Sequence, residues 1–258
     1  MVASGLHLIT GITYQSKKPD ASLAHWIESF WLLANITDEE KTISILPDGR
    51  IDLFFSKTAT EPFHVVLLGL ENSMSSTIIA PRTLTFAVSF KLLGAEYVLK
   101  QSVAPLLNGG MRLPNDFWEM EVADLDNFDA CCNKASQKIK TLLNQEPDPR
   151  KLALFNLIYD NNGDLPVNEM ASKVHWTSRQ INRYFNQWFG LSLKAYCNIL
   201  RFRASFAQIK AGKFFPELNF ADQAHFIRTV KKYAGVAPKA LNKNKNDRFI
   251  QFSTLPKK

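Results

Sequence analysis

Residues 178–189, SRQINRYFNQWF, gather side chains that can read the edge of a base pair. Ile181, Phe185 and Trp188 or Phe189 recur at spacings of three and four, so one helical face turns inward. Arg179, Asn182, Arg183 and Asn186 fall on the other face, with Ser178 and Gln180 at its edges. A guanidinium donates two parallel hydrogen bonds to guanine O6 and N7, and an Asn or Gln amide pairs with adenine N6 and N7. No Asp or Glu interrupts the stretch. An ordinary solvated helix mixes acids with its Lys and Arg, and phosphates would repel those acids. The pattern therefore predicts major-groove reading rather than a plain exposed face.

The neighbouring sequence supplies what such a helix needs to be held. Pro166 opens a short helix, VNEMASKV, with Val167, Met170, Ala171 and Val174 as its apolar stripe. His175-Trp176 forms a turn, Thr177 caps the next helix and Gly190 stops it, which is the order of a helix-turn-helix. Ahead of it, Leu152, Phe155, Leu157 and Ile158 mark a helix that ends at Asn161-Asn162-Gly163. Shifting the sequence by 45 residues lays Thr177 on Asp222, Ile181 on Phe226, Arg183 on Arg228, Phe185 on Val230, Gly190 on Gly235 and Lys194 on Lys239. Caps fall on caps and core on core, so a degenerate repeat predicts a second recognition unit. A long helix over residues 194–210 would join the two, with Tyr196, Ile199, Phe202, Phe206 and Ile209 packed and Arg201 and Arg203 directed elsewhere, toward phosphates.

Charge divides the chain in the same place. From Lys151 onward there are 18 Lys and Arg against 6 Asp and Glu, whereas the preceding residues hold 13 against 18. Clustered cations displace counterions from a polyanion, so the second part suits nucleic acid and the first does not. The linker is placed at Gln145-Glu146-Pro147-Asp148-Pro149, where two prolines preclude a continuous helix.

The first hundred residues read as strands. TISIL, RIDLFF, FHVVLLG, STIIA and LTFAVSF are β-branched or aromatic runs separated by turn formers such as Pro47-Asp48-Gly49. Residues 20–33 fit either a helix or the start of a strand. Residues 116–146 carry Leu125, Phe128, Ile139, Leu142 and Leu143 in one or two amphipathic helices, offered as a dimerisation surface. The expected class is α+β. A β-rich barrel or sandwich, serving for sensing or dimerisation, spans 1–113; a helical connector and linker spans 114–149; an all-α domain with two helix-turn-helix motifs spans 150–258.

Other chemistry finds little support. The five histidines, at 7, 25, 64, 175 and 225, show no HxH or HxxxH spacing, and GxSxG, CxxC and a phosphate-binding glycine loop are missing. A metalloenzyme built on the β-rich part is thus the weakest reading; no catalytic residue, metal or cofactor is expected. Cys131, Cys132 and Cys197 fit structural thiols. His64 reads as a core histidine, Trp26, Trp31 and Trp118 as core more than pocket, and His225 equally as a DNA contact or a packed ring. The start of the chain lacks the pattern of a signal peptide and no apolar run is long enough to span a membrane, so the cytoplasm is the expected location.

Two stretches, SRQINRYFNQWFGLSLKAY and NFADQAHFIRTVKKYAGVAPKAL, resemble the double helix-turn-helix domain of the AraC/XylS transcriptional regulators over roughly residues 150–242. SILPDGRIDLFF and FAVSFKLLGAEY resemble, more weakly, the cupin-like sensor domains joined to it in some members. The resemblance implies a sequence-specific double-stranded DNA-binding regulator with RNA polymerase as a partner. It further implies a small-molecule effector or a homodimer acting through the N-terminal domain; a regulator without effector, using that domain for protein contacts, is the alternative. Positions matching Arg179, Asn182 and Arg183 contact bases in the family, and those matching Gln223, Ala224, His225 and Arg228 lie at the DNA; Lys231, Ser178, Gln180 and Asn186 complete the expected interface. One departure stands out. Where the family has a supporting helix for the second unit, this chain reads KAGKFFPELN, residues 210–219. Gly212 and Pro216 inside a helix would cost about 1 and 3 kcal/mol, so a turn packed by Phe214, Phe215 and Leu218 is expected instead, with weaker base discrimination by the second helix.

Overall fold

A computed structural model describes residues 7–9, 11–216 and 220–255. The chain is α+β and forms two compact units. The first comprises residues up to Thr42, Arg50–Leu70 and Ile78–Pro147; the second comprises Ile43–Gly49, Glu71–Thr77 and Asp148 onward.

In the first unit, strands β1 (His7–Ile9), β2 (Ile12–Lys17), β3 (Ile27–Asn35), β5 (Ile51–Lys57), β6 (His64–Leu68), β8 (Leu84–Phe90) and β9 (Gly110–Leu113) build a seven-stranded sheet in the order β1-β2-β3-β8-β5-β6-β9. Neighbours run antiparallel, with Leu53 opposite both Leu67 and Val88. β4 (Lys41–Ile45) and β7 (Ser75–Ile79) form a separate two-stranded ribbon. Residues 20–33, open in the sequence, resolve into a single 3₁₀ turn, Ala21–Leu23, followed by β3. The strands β1, β2 and β9 lie outside the five runs that were legible as strands.

Period-two alternation gives the sheet two faces. Ile51, Leu53, Phe55, Val65, Leu67, Phe86, Val88 and Phe90 share one face and are fully buried. Trp26 and Trp118 join this core, packing on Tyr97 and Phe90 respectively. A short turn, α1 (Leu92–Gly94), follows β8, and α2 (Phe128–Leu142) is the one α-helix formed within 116–146. Cys131 and Cys132 are buried on α2, and burial pushes both thiols up to about 12, as structural thiols require.

The second unit carries α3 (Pro149–Asp160), α4 (Val167–Lys173), α5 (Ser178–Phe189), α6 (Leu193–Ala204), α7 (Phe206–Lys210), α8 (Gln223–Ala234), α9 (Pro238–Lys243) and α10 (Ile250–Ser253). Asp148 caps α3 by accepting the Arg150 N–H, with Pro149 in the first turn, where its missing donor costs nothing. The long helix expected over 194–210 is divided at Ser205, whose hydroxyl donates to the Phe202 carbonyl at 2.6 Å. Its packed face is nevertheless continuous: Tyr196, Ile199, Phe202, Phe206 and Ile209 are all buried. Among the described residues no helix is long and apolar enough to cross a membrane.

Candidate nucleic-acid interface

Helix α4 ends in a tight turn. The Trp176 N–H bonds to the Ala171 carbonyl at 3.1 Å and the His175 N–H to Ser172 at 3.3 Å, the paired closure of a Schellman motif. His175 occupies the left-handed position at φ 53, where glycine is the usual choice. Thr177 then begins α5 with a reciprocal capping box: its hydroxyl accepts the Gln180 N–H at 3.2 Å, while Gln180 Oε1 accepts the Thr177 N–H at 2.9 Å. Gly190, at φ 75, ends α5 twelve residues later.

Helix α8 repeats the construction. Asp222 Oδ1 accepts the His225 N–H at 2.6 Å, and Gly235, at φ 67, closes the helix after twelve residues. The next helices, α6 and α9, begin at Leu193 and Pro238, so the 45-residue register extends past the stop glycines. Buried positions correspond too: Ile181 with Phe226, Phe185 with Val230, Phe189 with Ala234 and Tyr196 with Leu241. Phe189 rather than Trp188 takes the innermost place at the end of α5; Trp188 is half-buried beside Tyr184.

The ten expected interface residues divide into two sets. Arg179, Arg183 and Asn186 on α5, and Gln223, Arg228 and Lys231 on α8, are exposed, and their side chains have no hydrogen bond or ion pair among the described residues. The other four are engaged by the protein itself. Gln180 belongs to the capping box, and Ser178 Oγ donates to Asn168 Oδ1 at 2.9 Å. Asn182 is half-buried; its amide donates to the Ser178 carbonyl at 3.0 Å and its Oδ1 accepts the Leu193 N–H at 3.2 Å, tying α5 to the start of α6. His225 stacks edge-on against Phe220, and its Nδ1 accepts the Ala221 N–H at 3.2 Å. Ala224 is exposed.

Arg201 turns back into the unit: its guanidinium donates to Asn198 and lies 4.0 Å from Asp164. Arg203 is half-buried.

No helix occurs among the described residues between α7 and α8. Gly212, at φ 77, ends α7 in another Schellman closure, with the Lys213 N–H on the Gln208 carbonyl and the Gly212 N–H on Ile209, both at 2.9 Å. Phe214 is half-buried, but Phe215 is 69% exposed and packs nothing of the kind expected. Leu218 lies outside the described residues.

The partners of three residues in this unit were not legible in the sequence. Gly163, at φ 71, lies against the α6 backbone, where a Cβ would stand 2.6 Å from the Cys197 carbonyl oxygen. Tyr196, fully buried, packs on Phe185 of α5 and donates its hydroxyl hydrogen to the Gly49 carbonyl at 3.0 Å. Met74 lies beside Gly235 at the end of α8, its Cε 3.3 Å from where a Cβ would be. The sequence marked Gly49 as a turn former, but nothing in it names a partner 147 residues away.

The other sheet face of the first unit is polar. Ser29, Ser56, Thr85 and Ser89 are buried on it, and Tyr14, Trp31, Phe54 and Asp52 are half-buried. Trp31 Nε1 donates to Ser89 Oγ at 2.9 Å, Ser89 donates on to Asp52, and the Ser56 and Thr85 hydroxyls are 2.8 Å apart. Trp31 therefore belongs to this face and not to the apolar core. His64 lies along it, its Nδ1 2.9 Å from the Pro62 carbonyl. No group of three or more His, Cys, Asp or Glu that could hold a metal occurs among the described residues.

Residues 15–112 match a family described as a domain of unknown function, DUF6597. No curated protein matches the chain. Solved structures of ToxT from Vibrio cholerae are similar at 14% identity, covering 89% of this chain and 96% of the other at a TM-score of 0.42; an unsaturated fatty acid-bound form gives 14%, 94%, 97% and 0.41. A further form, bound to (E)-4-(8-methylnaphthalen-1-yl)but-3-enoic acid, gives 13% identity, 89% and 96% coverage and 0.42. At such values the functional reading rests on this chain's own residues.

Proposed function

We propose that the chain is a sequence-specific double-stranded DNA-binding transcription regulator of the AraC/XylS type, with α5 and α8 as its two recognition helices. The observation that carries this reading is the repeated capped helix with an acid-free exposed face: Arg179, Arg183 and Asn186 on one, Gln223, Arg228 and Lys231 on the other. Guanidinium and amide groups with no internal partner are available for base edges. Lys194 and Lys239, exposed at matching places just beyond the stop glycines, suit phosphates that set the register. Asn182 and His225 act from within, Asn182 by holding α5 on α6 and His225 by packing on Phe220.

The polar sheet face supports a sensing role for the first unit. Hydroxyls and a carboxylate beside half-buried Trp31, Tyr14 and Phe54 would suit a small effector with both polar and apolar parts. Dimerisation through α2, contact with RNA polymerase and residence in the cytoplasm complete the reading; the alternative of a regulator without effector differs only in the first unit's task.

Substitution tests the assignment. Arg183→Ala is expected to weaken specific binding by about 1–3 kcal/mol and to relax preference at one base pair. Unchanged affinity and preference in a titration against duplexes varied at each position would overturn it.

A further inference from the structure

The second unit is discontinuous in sequence: Ile43–Gly49 and Glu71–Thr77 belong to it although more than seventy residues separate them from α3. The two segments are joined to each other, because β4 and β7 pair as a ribbon. One of them meets α6, which packs on α5, and the other meets the end of α8. Gly49 sits where a Cβ would lie 2.9 Å from Leu200 Cδ2 and 3.1 Å from Tyr196 Cε2; its carbonyl takes the Tyr196 hydroxyl, and the Tyr196 ring lies 5.9 Å from that of Phe185 on α5. Met74 lies over the closing glycine of α8, its Cε 3.3 Å from where a Gly235 Cβ would be. The C-terminal residues fix the ribbon between these points. The Ser44 N–H bonds to the Arg248 carbonyl at 2.6 Å, and the Leu46 backbone exchanges two hydrogen bonds with the Gln251 side chain, at 3.0 and 2.9 Å.

We infer that this ribbon is a two-point clamp that holds α5 and α8 at one mutual spacing, with Gly49 and Met74 as positioning residues. The clamp adds support where no helix occurs among the described residues between α7 and α8. The DNA side of this inference rests on the function proposed above; the clamp itself does not.

The test uses the full chain carrying Gly49→Val, Gly49→Ala, Met74→Ala or Tyr196→Phe, with thermal unfolding to confirm folding. Gly49→Val adds a β-branched side chain at φ 77 and crowds Tyr196, whereas Tyr196→Phe keeps the ring and removes only the hydroxyl. Amide hydrogen exchange is followed across α5, α6 and α8. The clamp predicts cross-talk: Gly49→Val accelerates exchange at the end of α8, and Met74→Ala accelerates it around Tyr196. Acceleration confined to each variant's own contact would overturn the clamp, whether or not DNA is bound. Should Gly49→Val fail to fold, Gly49→Ala and Met74→Ala decide by the same readout. With DNA, clamp variants are expected to lose about 10- to 100-fold on a duplex engaging both helices and less than about twofold on one engaging α5 alone, because only the first depends on a preset spacing. Equal losses on both duplexes would also overturn the clamp. Absence of any duplex binding by the wild-type chain would overturn the DNA-binding reading and leave the exchange result to decide the clamp.

Discussion

The two proposed recognition motifs are built on the same kind of capped helix and differ in what lies behind it. Helices α5 and α8 have the same length, side-chain caps at both starts and stop glycines at matching places. Behind α5 stands α4, with Met170, Ala171 and Val174 buried; behind α8 the chain passes through Gly212 in a left-handed conformation and an exposed Phe215. A capped helix can thus persist when its partner helix is replaced, provided its inward positions stay apolar and something else covers them. Phe226, Val230 and Ala234 are as buried as their counterparts in α5. Phe220 packs edge-on against Phe226 at 5.1 Å, Phe202 of α6 lies 5.2 Å from Tyr233, and Met74, remote in sequence, lies beside Gly235 at the helix end.

The largest expected contrast lies in that support. Met170→Ala opens a cavity behind α5 and should destabilise the helical unit by about 2–5 kcal/mol, whereas Phe215→Ser should change stability by less than about 0.5 kcal/mol. Denaturant unfolding of both variants measures the difference, and a comparable loss from Phe215→Ser would show that a packed turn precedes α8 after all. Next come the caps. Thr177→Ala and Asp222→Ala should each cost about 1 kcal/mol, since each removes the acceptor for an otherwise unpaired helix-start N–H. A much larger loss at Asp222, read from the same unfolding curves, would mean that α8 depends on its cap in a way that α5 does not.

Replacing His175 by Gly should stabilise the helical unit by roughly 0.5–1 kcal/mol, because the left-handed turn before α5 then carries no side-chain penalty. A lower melting temperature for that variant would contradict the strain. The smallest effect concerns pH. Burial, together with nearby Asp48, raises the Glu71 carboxyl above its usual range, against the hydrogen bond that it accepts from Ser75 at 2.7 Å. In that window the folded chain holds more protons than the unfolded one, so this group's contribution falls as pH rises through its folded value and is most favourable below the unfolded one. Glu71→Gln should therefore be more stable than the wild type at neutral pH and lose that advantage toward pH 4. An advantage that stays constant with pH would show that the carboxyl is not the cause.

Much of this was legible in the residues, for identifiable reasons. Caps, stop glycines and apolar spacing are local signals, and they located α4, α5 and α8 to within a residue or so. The β-branched and aromatic runs RIDLFF and LTFAVSF likewise marked the central strands β5 and β8, although β8 is buried on both faces. Partners distant in sequence were not legible. Asn182 looked free on a helical wheel, yet its amide serves the Leu193 N–H, eleven residues on. Arg201 looked available for phosphate but faces Asp164. Gly49 and Met74 belong to the β-rich half by sequence and to the helical unit by contact, a distinction that no periodicity encodes.

Selection of bound duplexes from a random pool by the full chain tests the central claim most directly. Two recognition helices predict one extended, asymmetric site with two base-specific clusters about one helical turn, roughly 34 Å, apart, the cluster read by Arg179 and Arg183 being the sharper. A single short half-site, or a pool with no enriched sequence, would contradict it.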